Sequence, residues 1–101
     1  MNIKVRNFFS TSGNQVPNQF IIETPTAVKG GTAIYFQSYN TIIAKKIYPK
    51  NKIEKIYLDL KFWDCSNTTG KYRNQFLDEN IVETRNKIKS GEYKLINLNK
   101  D

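Results

Sequence analysis

The residues of this chain best equipped for chemistry lie between Asp59 and Lys71, and none of them completes a catalytic set. Asp59-Leu60-Lys61 has the form of half a metal-dependent nuclease strand, in which a carboxylate holds Mg²⁺ and a lysine steadies the attacked phosphate. The other half, a preceding Pro-Asp pair, is missing. An outward-facing Asp and Lys on one strand more often make a solvated, salt-bridged edge. Cys65 is the single cysteine and follows Asp64, whose charge disfavours a thiolate, and the absence of histidine removes any Ser/His or Cys/His nucleophile pair. Cys65 therefore reads as structural. The same composition excludes an intramolecular disulfide and a zinc site built on thiolate or imidazole. Glu79 and Glu83 stand four residues apart, but helix capping and the helix dipole account for both. Gly30-Gly31 lacks the context of a nucleotide-binding loop and reads as a turn, and Thr69-Gly70-Lys71 is too short for a phosphate loop. The expectation is a binding protein rather than an enzyme, with no cofactor and no metal.

Binding has more support. Thr68 and Thr69, then Gly70, Lys71, Tyr72 and Arg73, offer small donors, close backbone approach, two cations and a ring, a set suited to a phosphate backbone or an acidic partner. Sixteen Lys and Arg against nine Asp and Glu give a net charge of +7. Such an excess on a small domain draws polyanions by long-range attraction, which makes nucleic acid the default partner. The candidate contacts are Thr68, Thr69, Lys71 and Arg73, then Arg85 and Lys89 one helical turn apart, and Lys45, Lys46, Lys50 and Lys52. They form one continuous surface if the helices pack beside the central basic segment. In the competing reading the lysines are solvated surface reflecting A·T-rich coding, Tyr72 packs in the core, and Arg73 pairs with Asp64 or Asp78.

The elements that must position these residues are short. At 101 residues the chain is the size of one domain with one small core. Ile3 to Arg6 alternates apolar and basic residues, as an edge strand does. Ser10 to Asn18 is a polar loop. Phe20–Thr24 and Thr32–Tyr39 are strands of a hairpin turned at Pro25 and Gly30-Gly31, and Thr41–Ile47 continues as a strand before a basic loop at Tyr48–Lys52. Ile56, Leu58, Leu60 and Phe62 against Tyr57, Asp59 and Lys61 is strict alternation, the clearest half-buried strand. Regular alternation turns Trp63 away from that apolar face, where packing under a helix is favoured over an exposed stacking role.

A first helix starts from Ser66, Asn67 or Thr68 and carries Tyr72, Phe76 and Leu77 inward. A second runs from Asn80, capped with Glu83, to Ser90-Gly91, with Ile81 and Ile88 inward and a Glu83–Lys87 pair. Tyr93–Leu98 is a last strand. The fold class is α+β, a small antiparallel sheet with two short helices in the C-terminal half. No apolar run approaches a membrane span and Met1–Arg6 lacks the apolar stretch of a signal peptide, so a cytoplasmic protein without membrane contact is expected.

Tyr35-Phe36-Gln37-Ser38-Tyr39, Trp63-Asp64, Thr68 to Leu77, Glu83-Thr84-Arg85 and Ser90 to Leu95 together resemble a family of small uncharacterised proteins carried by bacteriophages and other mobile elements. The likeness runs from about Ser10 to Asn99 and carries no established catalytic residues. Cys65, where an aromatic is usual, and a longer Lys45–Lys55 connection depart from the pattern. The resemblance implies an accessory gene acting in a bacterial host cell, a setting in which counter-defence factors such as CRISPR inhibitors are prominent. The expected partner is nucleic acid or a host nucleoprotein complex. The alternative is a protein-interaction module, a homodimer or host-protein binder, using the exposed sheet edge at Ile3–Arg6 or Thr41–Ile47.

Overall fold

The computed structural model describes residues 2–26, 30–50 and 54–100. Six strands, β1 (Lys4–Phe9), β2 (Gln15–Pro25), β3 (Thr32–Ser38), β4 (Thr41–Tyr48), β5 (Lys55–Asp59) and β6 (Tyr93–Ile96), line up in chain order in one sheet. Two helices, α1 (Asn67–Leu77) and α2 (Ile81–Ser90), connect β5 to β6. The α+β class is as expected. Pairing is antiparallel from β1 to β5, but β6 runs parallel to β5, because the two-helix connection returns the chain to the end of the sheet from which β5 started.

Several boundaries and one edge assignment differ from the sequence reading. The loop after β1 is short: Ser10 N–H donates to Asn14 O and Gly13 N–H to Ser10 O, and β2 begins at Gln15. Tyr39 leaves β3 for a two-residue turn with φ 56°. Thr41–Ile47 is no edge, since β4 is paired on both sides by β3 and β5; the edges are β1 and β6.

The alternating strand also stops early, at Asp59. Its carboxylate is buried and accepts the backbone N–H groups of Lys61, Phe62 and Leu98, an Asp-nucleated turn that ends the ladder. Leu60 is consequently exposed, and Asp59 is not the outward-facing residue that alternation suggested.

Helix starts and stops follow their side chains. Ser66 caps α1 by accepting from Thr69 N–H, and Asp78 closes it in the left-handed region with φ 56°. Asn80 and Glu83 form the full reciprocal capping box of α2, and Gly91 ends it with φ 84°, a conformation a side chain would strain. Lys87 pairs with Glu79, however, not with Glu83.

Register defines two sheet faces. Ile21, Phe36, Ala44, Leu58 and Leu95 form one cross-strand row, with Ile34, Lys46, Ile56 and Tyr93 beside it. This face meets the helices: Phe8, Phe36, Ile43, Ala44 and Leu58 close on Tyr72, Phe76 and Leu77 of α1. Phe8 packs edge-on against Phe36 at 5.3 Å between centroids. Each fully buried apolar side chain contributes about 1.5–3 kcal/mol by leaving water. The other face carries Val5, Ile22, Tyr35, Lys45, Tyr57 and Lys94 in one row, between the row Phe20, Gln37, Ile42 and the row Thr24, Ala33, Ile47, Lys55. Among the described residues no helix packs on it.

Candidate nucleic-acid interface

The basic surface expected from the sequence does not assemble. Thr69 is buried, its hydroxyl 2.9 Å from that of Ser38. Arg73 is only 2% exposed and donates to Trp63 O, Asp64 Oδ1 and Asn74 Oδ1, with its guanidinium over the Trp63 ring. The pairing with Asp64 and the core position of Tyr72 therefore hold in place of a ligand role. Lys46 points into the helix side, donates to Phe76 O and sits over the Phe76 ring; burial lowers its pKa, an effect that Glu54, Asp78 and Glu79 offset only in part.

Lys45, its neighbour in β4, lies on the opposite face of the sheet, as the two-residue period of a strand requires. Thr68, Lys71, Arg85 and Lys89 stay exposed on the helices, and Lys50 is exposed past the end of β4. Lys52 lies outside the described residues. Trp63 is partly buried as expected, but against the main core and not on the face away from it, because the strand that would have turned it away ends at Asp59. Cys65 is exposed and not in the core.

The open sheet face gathers what the helical patch does not. Tyr35 of β3 and Tyr57 of β5 flank Lys45 of β4 in direct register, which at the usual strand spacing sets the two rings about 10 Å apart. Lys45 Nζ stands 5.2 Å from the Tyr35 ring centroid. Lys94 extends the row at one end, and Lys55 lies in the next row. Among the described residues none of these three lysines has a carboxylate within salt-bridge distance. The paired positions of this face carry one acid, Asp59, and its oxygens are occupied by backbone donors. Burial pushes that carboxyl up, but the hydrogen bonds from Leu98, Phe62, Asn99 and Lys61 outweigh it and hold it below the ordinary value.

Sequence reading missed Tyr35, Tyr57 and Lys94, although the signal was present. Counting by two along β3, β4 and β5 puts Tyr35, Lys45 and Tyr57 on the face opposite Phe36, Ala44 and Leu58. Likewise Thr69, Tyr72, Arg73 and Phe76 follow the i, i+3, i+4, i+7 spacing of one helix stripe, which marks the two rejected contacts as inward.

Fold and site define a small α+β protein with one helix-covered and one open, aromatic and basic sheet face. Residues 3–93 match the model described as a family of unknown function, DUF8033, and the chain belongs to that family. No curated protein and no solved structure matches it. Among the described residues no helix is long and apolar enough to cross a membrane.

Proposed function

We propose that this is a non-enzymatic accessory protein that binds single-stranded nucleic acid on the open face of its sheet. The observation that carries the reading is the Tyr35–Lys45–Tyr57 row, two rings and a cation in register, with Lys94 at its end, Lys55 in the next row and, among the described residues, no available carboxylate beside them. Rings on a sheet face stack with bases only when those bases are unstacked from their neighbours, which favours a single strand over a duplex. The lysines then meet the phosphates between the stacked bases. The resemblance to proteins of phages and mobile elements supports a setting in which the strand is presented by a host nucleoprotein assembly, and a counter-defence role such as CRISPR inhibition fits that setting.

The test is titration of labelled single-stranded DNA, duplex DNA and RNA at rising salt. Three phosphate contacts on a single strand give a log–log slope of about −2. Equal affinity for duplex and single strand, or no binding at low salt, overturns the reading. A second reading rests on β1, an edge strand with Ile3, Val5 and Phe9 exposed, where pairing with another copy or a host protein would cover apolar surface. A monomer at every concentration in a sizing measurement removes its homodimer form.

A further inference from the structure

The groove between α2 and the turn after β5 lies at the margin of the core and away from the open sheet face. Trp63 forms one wall, Val82 and Ile88 line it from α2, and Arg85 and Lys89 stand at its rim, enclosing about 380 Å³. That volume lies at the small end of ligand sites, room for an anchoring side chain or two and not for a whole helix. Val82 is 59% exposed on a helix whose other apolar side chain here, Ile88, packs against the core, so the groove floor is apolar and open.

The rim is cationic. Arg85 is 61% exposed and its contact with Asp64 is long, at 3.6 Å, so this pair holds the guanidinium only weakly. Asp64 is at the same time engaged at 3.1 Å by the buried Arg73, which leaves its charge compensated. Arg73 also holds the Trp63 wall, through the backbone oxygen of Trp63 and its position over the indole. The wall is therefore preformed, which lowers the ordering cost of binding.

We infer that this groove docks a short acidic segment of a partner protein, with one apolar or aromatic side chain seated between Trp63, Val82 and Ile88 and flanking carboxylates on Arg85 and Lys89. Charge complementarity selects this occupant: a basic peptide meets two like charges at the rim, and an uncharged one leaves both cations unanswered. The site is separate from the sheet face, so the protein can hold a strand and a protein segment at once.

Trp63 is the only tryptophan, so its emission reports the groove alone. A short random-peptide library is panned on the intact protein, and an enriched peptide is synthesised and titrated while Trp63 emission is followed. Enrichment of sequences combining Asp or Glu with an apolar anchor, a saturable blue shift, and a loss of about tenfold or more in affinity for Val82→Glu are expected. Val82 is exposed, so this variant should melt with the wild type; if it does not fold, Arg85→Glu with Lys89→Glu gives the same readout. The Tyr35→Ala, Tyr57→Ala variant should bind the peptide as wild type does. Failure to enrich an acidic consensus, an emission that does not move, or undiminished binding by the variants overturns the inference.

Discussion

The helix-covered and open faces of the sheet share every strand, yet their polar groups are in opposite states. On the covered side the buried charged side chains Arg73, Lys46 and Glu79 each have partners. Arg73 serves Trp63, Asp64 and Asn74, and Lys46 serves the end of α1. Glu79 accepts from Thr84, Lys87 and Tyr93 at 2.6, 2.7 and 2.8 Å. On the open side Lys45, Lys55 and Lys94 meet no carboxylate among the described residues. Total charge is thus a poor guide to a binding surface in this protein, because the covered face uses up cations as structural donors.

The sharpest way to break this contrast is to damage the covered face and look for a binding defect. Glu79→Ala removes a carboxylate whose side chain is 2% exposed, strips the buried Tyr93 hydroxyl of its acceptor and leaves Thr84 only the longer bond to Asn80 O. The cost should be about 3 kcal/mol in denaturant unfolding, with oligonucleotide affinity of the folded fraction unchanged. Burial pushes the Glu79 carboxyl up, but its hydrogen bonds from Lys87, Thr84 and Tyr93 hold it below its ordinary value. A depressed folded pKa contributes stability above the unfolded value, near pH 4, and that contribution is lost as pH falls through the folded one. Wild type should therefore lose more stability than Glu79→Ala on acidification below about pH 4.5, by urea titration at each pH.

The converse experiment acts on the open face. Tyr35→Ala and Tyr57→Ala should each weaken single-strand binding by about 1–3 kcal/mol while moving the melting temperature far less than Glu79→Ala does. A stability loss equal to that of Glu79→Ala, without a binding loss, would make the two faces alike and sink the distinction. Gln19 sharpens it from inside. Its amide is 1% exposed on the covered side and neither polar atom finds a partner among the described residues. Gln19→Met should raise stability by about 1 kcal/mol, read from the denaturant midpoint. The smallest effect is expected for Lys45→Ala, which should lower the single-strand salt slope by about 0.7 and leave stability unchanged.

Much of this contrast could be read from the chain. The capping box at Asn80 and Glu83, the stop at Ser90-Gly91 and the inward set Tyr72, Phe76 and Leu77 are local signals, and local signals survive folding. What failed were statements about where elements come together. Lys45 and Lys46 were grouped by proximity in sequence, though a strand separates neighbours to opposite faces. Arg73 was grouped by charge, though a helix stripe had already assigned it inward. The parallel placement of β6 depends on the route of α1 and α2, which no single segment encodes. Asp59 sits in the phase of the alternating pattern, and its burial depends in part on a bond from Leu98, 39 residues away, beside the local turn bonds from Lys61 and Phe62.

That late placement of β6 bears on the order in which the molecule is made. The first five strands close by neighbouring hairpins and an adjacent loop, contacts of short sequence separation that form early and fast. β6 reaches the sheet only through the two-helix connection, and Asn99 then clasps Ile42 across 57 residues through both its carbonyl and amide. A ribosome-bound chain ending before Tyr93 would thus display a finished meander with the outer edge of β5 bare. In pulsed hydrogen exchange, the amides shared by β5 and β6 should gain protection last, well after those shared by β2 and β3.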